Sequence, residues 1–175
     1  MPPRFSKRLV RALKLCYFFA PYEHDSATTV SYFEEALQIA SFLHTEEEII
    51  TALMRRAFSA TKLNGSDLKA FGFSPAIISA VRVLDKPFMA MTLADGKEIL
   101  NNPLAEKVFL ATVKVHRNIK HPSIVTPNYI EQCGVFCDVG EMVKGHLEQV
   151  DPEFKLNSDE EAAQLYAYLK QLSNR

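Results

Sequence analysis

Two adjacent arginines inside an apolar helical pattern are the first feature of this chain with chemical consequence. They are Arg55 and Arg56, in Thr51-Ala-Leu-Met-Arg-Arg-Ala-Phe-Ser-Ala-Thr61. A guanidinium stays charged and presents planar donors that match carboxylates and phosphates. Such a pair either meets carboxylates inside the fold, as a structural polar cluster, or faces an open cleft and binds an anion. The sequence leaves both open. Other chemical candidates are weaker. Cys133 and Cys137 are four apart on an expected helix, but no second cysteine pair exists. His116, His121 and His146 do not complete a zinc-finger spacing, so buried thiols are expected instead. The run Lys114-Val-His-Arg-Asn-Ile-Lys-His121 gathers Lys114, Arg117 and Lys120. It reads as a solvated helix end, where cations are favourable, ahead of a contact for an acidic partner. Glu46-Glu-Glu48 and Asp159-Glu-Glu161 stand at helix starts, where carboxylates are favourable without any catalytic role. Neither a Walker-type phosphate loop nor a nucleophile elbow is present.

The elements that must position these residues are helical. Strand-like alternation of useful length is missing, and apolar residues recur at helical spacing. Leu9, Leu13, Cys16 and Phe19 mark a first helix, followed by a loop from Pro21 to Val30. A second helix runs from about Ser31 through Phe42. Thr45-Glu-Glu-Glu48 is a capping-box start for a third, continuing to about Ala60. Asn64-Gly65 signals a turn, and Ser66 opens a short helix ending near Gly72. Ser74-Pro75 opens another, with Ile77, Ile78, Val81 and Leu84 on one face. Helices over Leu93 to Asn101 and Pro103 to Arg117 follow, then a loop from His121 to Pro127. Tyr129 to Val150 and Ser158 to Leu172 close the chain. The reading is a single all-α domain over 1–175, without repeats or linkers.

Composition limits the function classes. With 175 residues, one domain with a proper core is expected. A net charge of -1 gives no global attraction to nucleic acid or anionic membrane. The longest apolar runs fall well short of the roughly 20 residues that span a bilayer. Met1 to Ala20 is basic and free of acid, like a transit peptide in composition, but its helical apolar spacing makes a first core helix the plainer account. Three cysteines without a secretory signal point to a reducing compartment, hence a cytoplasmic protein, with export as an effector left open. Twelve phenylalanines and six tyrosines leave room for an exposed aromatic patch that a partner could cover.

Several segments together resemble one family. Tyr32-Phe-Glu-Glu-Ala-Leu-Gln-Ile-Ala40, the arginine segment, Leu68-Lys-Ala-Phe-Gly-Phe73 and Asn102-Pro-Leu-Ala-Glu-Lys-Val-Phe-Leu-Ala-Thr112 follow one another without large gaps. They are similar to the HD-domain phosphohydrolases, in particular the (p)ppGpp hydrolase domains of RelA/SpoT-type proteins. The similarity covers about Leu9 to Asn118 and implies an HD-like bundle of helices. In that family two histidines and two aspartates hold one divalent metal, often manganese, which activates a water.

The resemblance puts Glu35, Arg55, Arg56 and Thr112 at those four ligand positions. Arginine offers no lone pair, so it cannot be a ligand. The Glu-Asp pair that orients the nucleophilic water reads Ser59-Ala60 here. The basic segment that grips the guanosine nucleotide reads Asp25-Ser-Ala-Thr-Thr-Val30, without a lysine or arginine, and His24 beside it reads as incidental. The resemblance therefore implies a scaffold without its metal, cofactor or catalytic residues. The expected function is a pseudoenzyme that binds another macromolecule, taken to be a protein. The alternative is a non-hydrolysing sensor of an anionic nucleotide through Arg55 and Arg56. An active metal-dependent hydrolase ranks last, and neither membrane nor nucleic acid is an expected partner.

Overall fold

The centre of the molecule is a short helix buried almost all round. In the computed structural model, which describes residues 6–19, 31–86, 90–118 and 126–174, this is α3, Glu46–Met54. Ile49, Ile50, Ala52, Leu53 and Met54 are at most 1% exposed, so beyond its first turn no face of the helix remains for solvent. Its start needs no tertiary help: Thr45 accepts from the Glu48 amide, and the Glu48 carboxylate accepts from the Thr45 amide.

Around α3 are arranged α1 (Lys7–Phe19), α2 (Tyr32–Ser41), α6 (Pro75–Leu84) and α8 (Pro103–Asn118). Each presents an apolar stripe at helical spacing. Leu9, Ala12, Leu13 and Cys16 of α1 are fully buried, as are Ala36, Leu37, Ile39 and Ala40 of α2. Two small helices, α4 (Ala57–Ala60) and α5 (Gly65–Ala70), connect α3 to α6. Gly72 ends α5 with φ 89°, a left-handed conformation that a side chain would strain. Phe73 then donates its amide back to the Leu68 carbonyl at 3.1 Å.

A second layer consists of α7 (Leu93–Leu100) and the long α9 (Pro127–Val150), which pack on each other and on α8. Gly140 lets α9 approach α8 closely, since a Cβ there would stand 3.1 Å from a Val113 methyl. The last helix, α10 (Asp159–Ser173), returns to α2 and α1. Its position is tied by Asn157, whose side-chain amide donates to the Ser41 and Leu43 carbonyls at 3.0 Å each, covering orphan acceptors at the end of α2. The fold is all-α, with no strand among the described residues. No helix there is long and apolar enough to cross a membrane.

Two sequence expectations about the elements change. The helix expected from Thr45 to Ala60 breaks at Arg55 and Arg56, because Arg56 leaves the helical region (φ -117°, ψ 15°) and a new turn begins at Ala57. Side chains at neighbouring positions on an unbroken helix point about 100° apart. The break lets both arginines turn inward, each toward its own carboxylate. The short helix expected to open at Ser66 is capped by Asn64 instead, in a reciprocal capping box with Asp67. The first-helix core position Phe19, the loop over 21–30 with His24, most of the 121–127 loop, Lys120 and His121 lie outside the described residues or side chains.

Candidate functional site

Glu35, Arg55, Arg56 and Thr112 come from three elements separated in sequence, and the fold brings them to one interior location. Glu35 sits in the first turn of α2, which Ser31 caps. Its side chain is 1% exposed. Arg55 Nη2 donates to Glu35 Oε1 at 2.7 Å, and the Arg55 guanidinium lies 5.3 Å from the centre of the Tyr32 ring. His116, one turn beyond Thr112 on α8, brings Nε2 to 2.9 Å from the same oxygen. Its ring stacks obliquely on Phe136 of α9, with centroids 5.0 Å apart. Burial is the largest single influence and pushes the Glu35 carboxyl up, and the Arg55 charge is the largest of several that push it down. With the His116 bond and charge and the Arg56 charge added, the pKa is held down at about 2. Glu35 is therefore an ionised carboxylate inside the core. Its second oxygen, Oε2, is buried with no hydrogen-bond partner among the described residues.

Arg56 turns the other way. Its Nε donates to the Ser59 hydroxyl at 3.1 Å and lies 3.7 Å from Asp85 Oδ1. Asp85, the residue after α6, accepts from the Phe58 and Ser59 amides at 2.8 and 3.0 Å and from the Ser59 hydroxyl at 2.5 Å. One carboxylate thus caps the restarted helix α4 and faces Arg56. Arg55 meets Glu35 and Arg56 meets Asp85, while the Arg56 charge also reaches Glu35.

Thr112 lines the same cavity as the two arginines and spends its hydroxyl proton on the Val108 carbonyl at 2.8 Å. Arg55, Arg56, Lys86, Thr112 and His116 line a cavity of about 30 Å³, walled by Leu84, Met91, Phe109 and Phe136. The carboxylates of Glu35 and Asp85 stand behind the arginines, outside that lining. Ala60 lies at the far end of α4 and adds no polar group. Cys16 on α1 is another ionisable neighbour of Arg55. Burial pushes its thiol up to about 12 against the Arg55 charge, so it stays protonated and inert.

His116 and Asp85 are the site members that sequence reasoning missed. His116 was expected at a solvated helix end and is turned inward. Its position four residues after Thr112, on the same helix face, was the available signal. Arg117 does reach solvent and approaches Glu141 at 3.5 Å, and Lys114 pairs with Asp159 at 3.3 Å. Asp85 had no signal, since its role depends on where α6 ends relative to α4. The expectation of buried thiols on α9 also fails, because Cys137 is exposed and Cys133 half-buried while Cys16 is fully buried.

The donor set does not suit a divalent cation. Glu35 supplies one carboxylate, and its coordinating oxygen already accepts from Arg55 and His116. Two guanidiniums adjoin it, where a dication would be repelled. No three His, Cys, Asp or Glu side chains gather into a metal-holding group among the described residues. No protein-family model matches the sequence, and no curated protein matches it significantly.

Proposed function

We propose that this chain is a catalytically silent protein on an HD-phosphohydrolase-like helical scaffold, acting by binding another macromolecule. The observation that carries this reading is the meeting of Glu35, Arg55, Arg56 and Thr112 at one interior point, although position 112 is far from the others in sequence. These are the positions that the resemblance aligns with four metal ligands. Here Glu35 pairs with Arg55, Arg56 pairs with Asp85 and Thr112 bonds the Val108 carbonyl, so two of the four positions carry cations where the resemblance expects ligands. An ion-pair network of this kind contributes shape and charge balance, and its guanidiniums have no lone pair to offer a metal. The three thiols are free, which suits a reducing cytoplasm.

A second reading has one observation in its favour. Arg55, Arg56 and Lys86 bring cationic donors to the lining of the small cavity, which suits an anion. Its volume, about 30 Å³, is an order of magnitude below the roughly 300–1,000 Å³ of ordinary small-molecule sites. A nucleotide would have to displace Phe136 or His116 to enter. Sensing of an anionic nucleotide through Arg55 and Arg56 therefore ranks second.

The test is metal content on protein purified without chelator, with (p)ppGpp turnover measured on the same sample in added manganese. Substoichiometric metal and no turnover are expected. Stoichiometric manganese, or turnover abolished by Glu35→Gln, would overturn the reading. Calorimetry against a panel of guanosine and adenosine nucleotides decides the second reading, which predicts saturable heat that Arg56→Met removes.

A further inference from the structure

The outward face of α1 carries several cations and no acid. Its buried stripe is Leu9, Ala12, Leu13 and Cys16; the stripe on the opposite side is Lys7, Arg11, Lys14 and Phe18. Those four positions are spaced by four, three and four residues, so they share one face over about 16 Å of helix. The helix contains no acid at all. By contrast, α9 and α10 mix both signs on their exposed faces, as solvated surfaces ordinarily do. Arg8 pairs with Glu46 at 3.6 Å, and Arg11 bonds the Phe71 carbonyl, but Lys7 and Lys14 have no ion-pair partner among the described residues.

At the carboxyl end of the same stripe the surface turns aromatic. Tyr17 and Phe18 are each 64% exposed, and they are two of the five large apolar side chains exposed among the described residues. Tyr17 is held in place edge-on against Phe33 of α2, 5.3 Å between centroids, so the aromatic end is built on the core. A row of cations followed by exposed aromatic rings, one of them braced against Phe33, is the composition of a protein interface with a charged flank and an apolar anchor.

We propose that this face of α1 is the docking surface for the partner, and that the partner presents an acidic amphipathic helix. The proposal rests on the protein-binding reading above and specifies its surface. Charge complementarity sets the occupant: carboxylates spaced over about three turns would meet Lys7, Arg11 and Lys14, and an apolar residue would cover Tyr17 and Phe18. A polyanionic nucleic acid fits less well, because the chain as a whole carries -1 and the stripe is one helix wide. A membrane fits less well too, because Tyr17 is turned against Phe33 and Phe18 alone stands on the cationic stripe, little apolar surface for a bilayer.

The experiment uses the full chain and a fluorescein-labelled designed helical peptide with glutamates along one stripe and leucines at one end. Fluorescence anisotropy measures binding at low and high salt, and amide chemical shifts map the contact. Saturable binding is expected, weakened by salt and mapped to α1. Charge reversal in the double variant K7E/K14E should weaken it by about tenfold or more, and Phe18→Ser severalfold, with unfolding transitions unchanged. Three results would overturn the proposal: no saturable binding, equal affinity for polyglutamate with Phe18→Ser indifferent, or tighter binding to phosphatidylserine vesicles or single-stranded RNA. The metal and turnover assay decides the pseudoenzyme reading independently, so the two can fail separately.

Discussion

Replacing Arg55 by methionine keeps most of the side-chain volume and removes the charge that holds Glu35 ionised. The magnitude follows from Glu35 itself. Its carboxyl, 1% exposed, is held at about 2 instead of the ordinary 4.5. That difference corresponds to about 3 kcal/mol of native-state stabilisation at neutral pH. A depressed carboxyl contributes fully above its unfolded pKa and loses the contribution as pH falls through the folded one. The wild-type protein should therefore lose this increment between about pH 4.5 and about pH 2. Arg55→Met should lose about 3–5 kcal/mol at pH 7, the usual cost of stranding one member of a buried pair. In a chain of this size, 3 kcal/mol lowers Tm by about 6–12 °C. Urea denaturation at pH 7 and pH 3 measures both terms, and the variant should show a flatter pH dependence across that window. The double variant E35L/R55M, which removes both charges, should recover most of the loss. A loss under about 1 kcal/mol for Arg55→Met, or a double variant as unstable as the two single ones summed, would refute the buried-pair account.

Asp85→Ala should cost about 2–3 kcal/mol, since it removes three hydrogen bonds at the start of α4 and leaves Arg56 without that carboxylate. Hydrogen exchange should show the Phe58 and Ser59 amides losing protection. Asn157→Ala should cost about 1–3 kcal/mol, because two carbonyls at the end of α2 lose their donor; urea denaturation measures it. Thiol titration with Ellman's reagent at neutral pH should label exposed Cys137 rapidly and Cys16 only after unfolding, since burial holds the Cys16 thiol near 12. Rapid labelling of Cys16 in the native protein would mean that α1 opens readily.

Local rules read most of the architecture from the sequence. Thr45 with Glu48 and Ser158 with Glu161 form the capping boxes that their spacing announces, and Ser74-Pro75 opens α6 where expected. Such signals involve residues within one turn of each other, so they do not depend on the rest of the fold. Leu9, Leu13 and Cys16 show the same for packing, because a 3.6-residue period already assigns the buried face. The arginine pair was legible as a feature, and its types alone excluded metal ligation at Arg55 and Arg56.

Tertiary structure alone decided which carboxylate each arginine meets. A local reading extends α3 straight through Arg55 and Arg56, whereas Asp85, arriving from the end of α6, stabilises the break that separates them. His116 turned inward for a similar reason: the rotation of α8 about its axis is fixed by packing against α2, α3 and α9, which no sequence window contains. Periodicity identifies a helix and its apolar stripe, but a polar residue near the edge of the stripe goes in or out according to what faces it. Across α8 from His116 stands the buried carboxylate of Glu35, and that partner made the interior the favourable side.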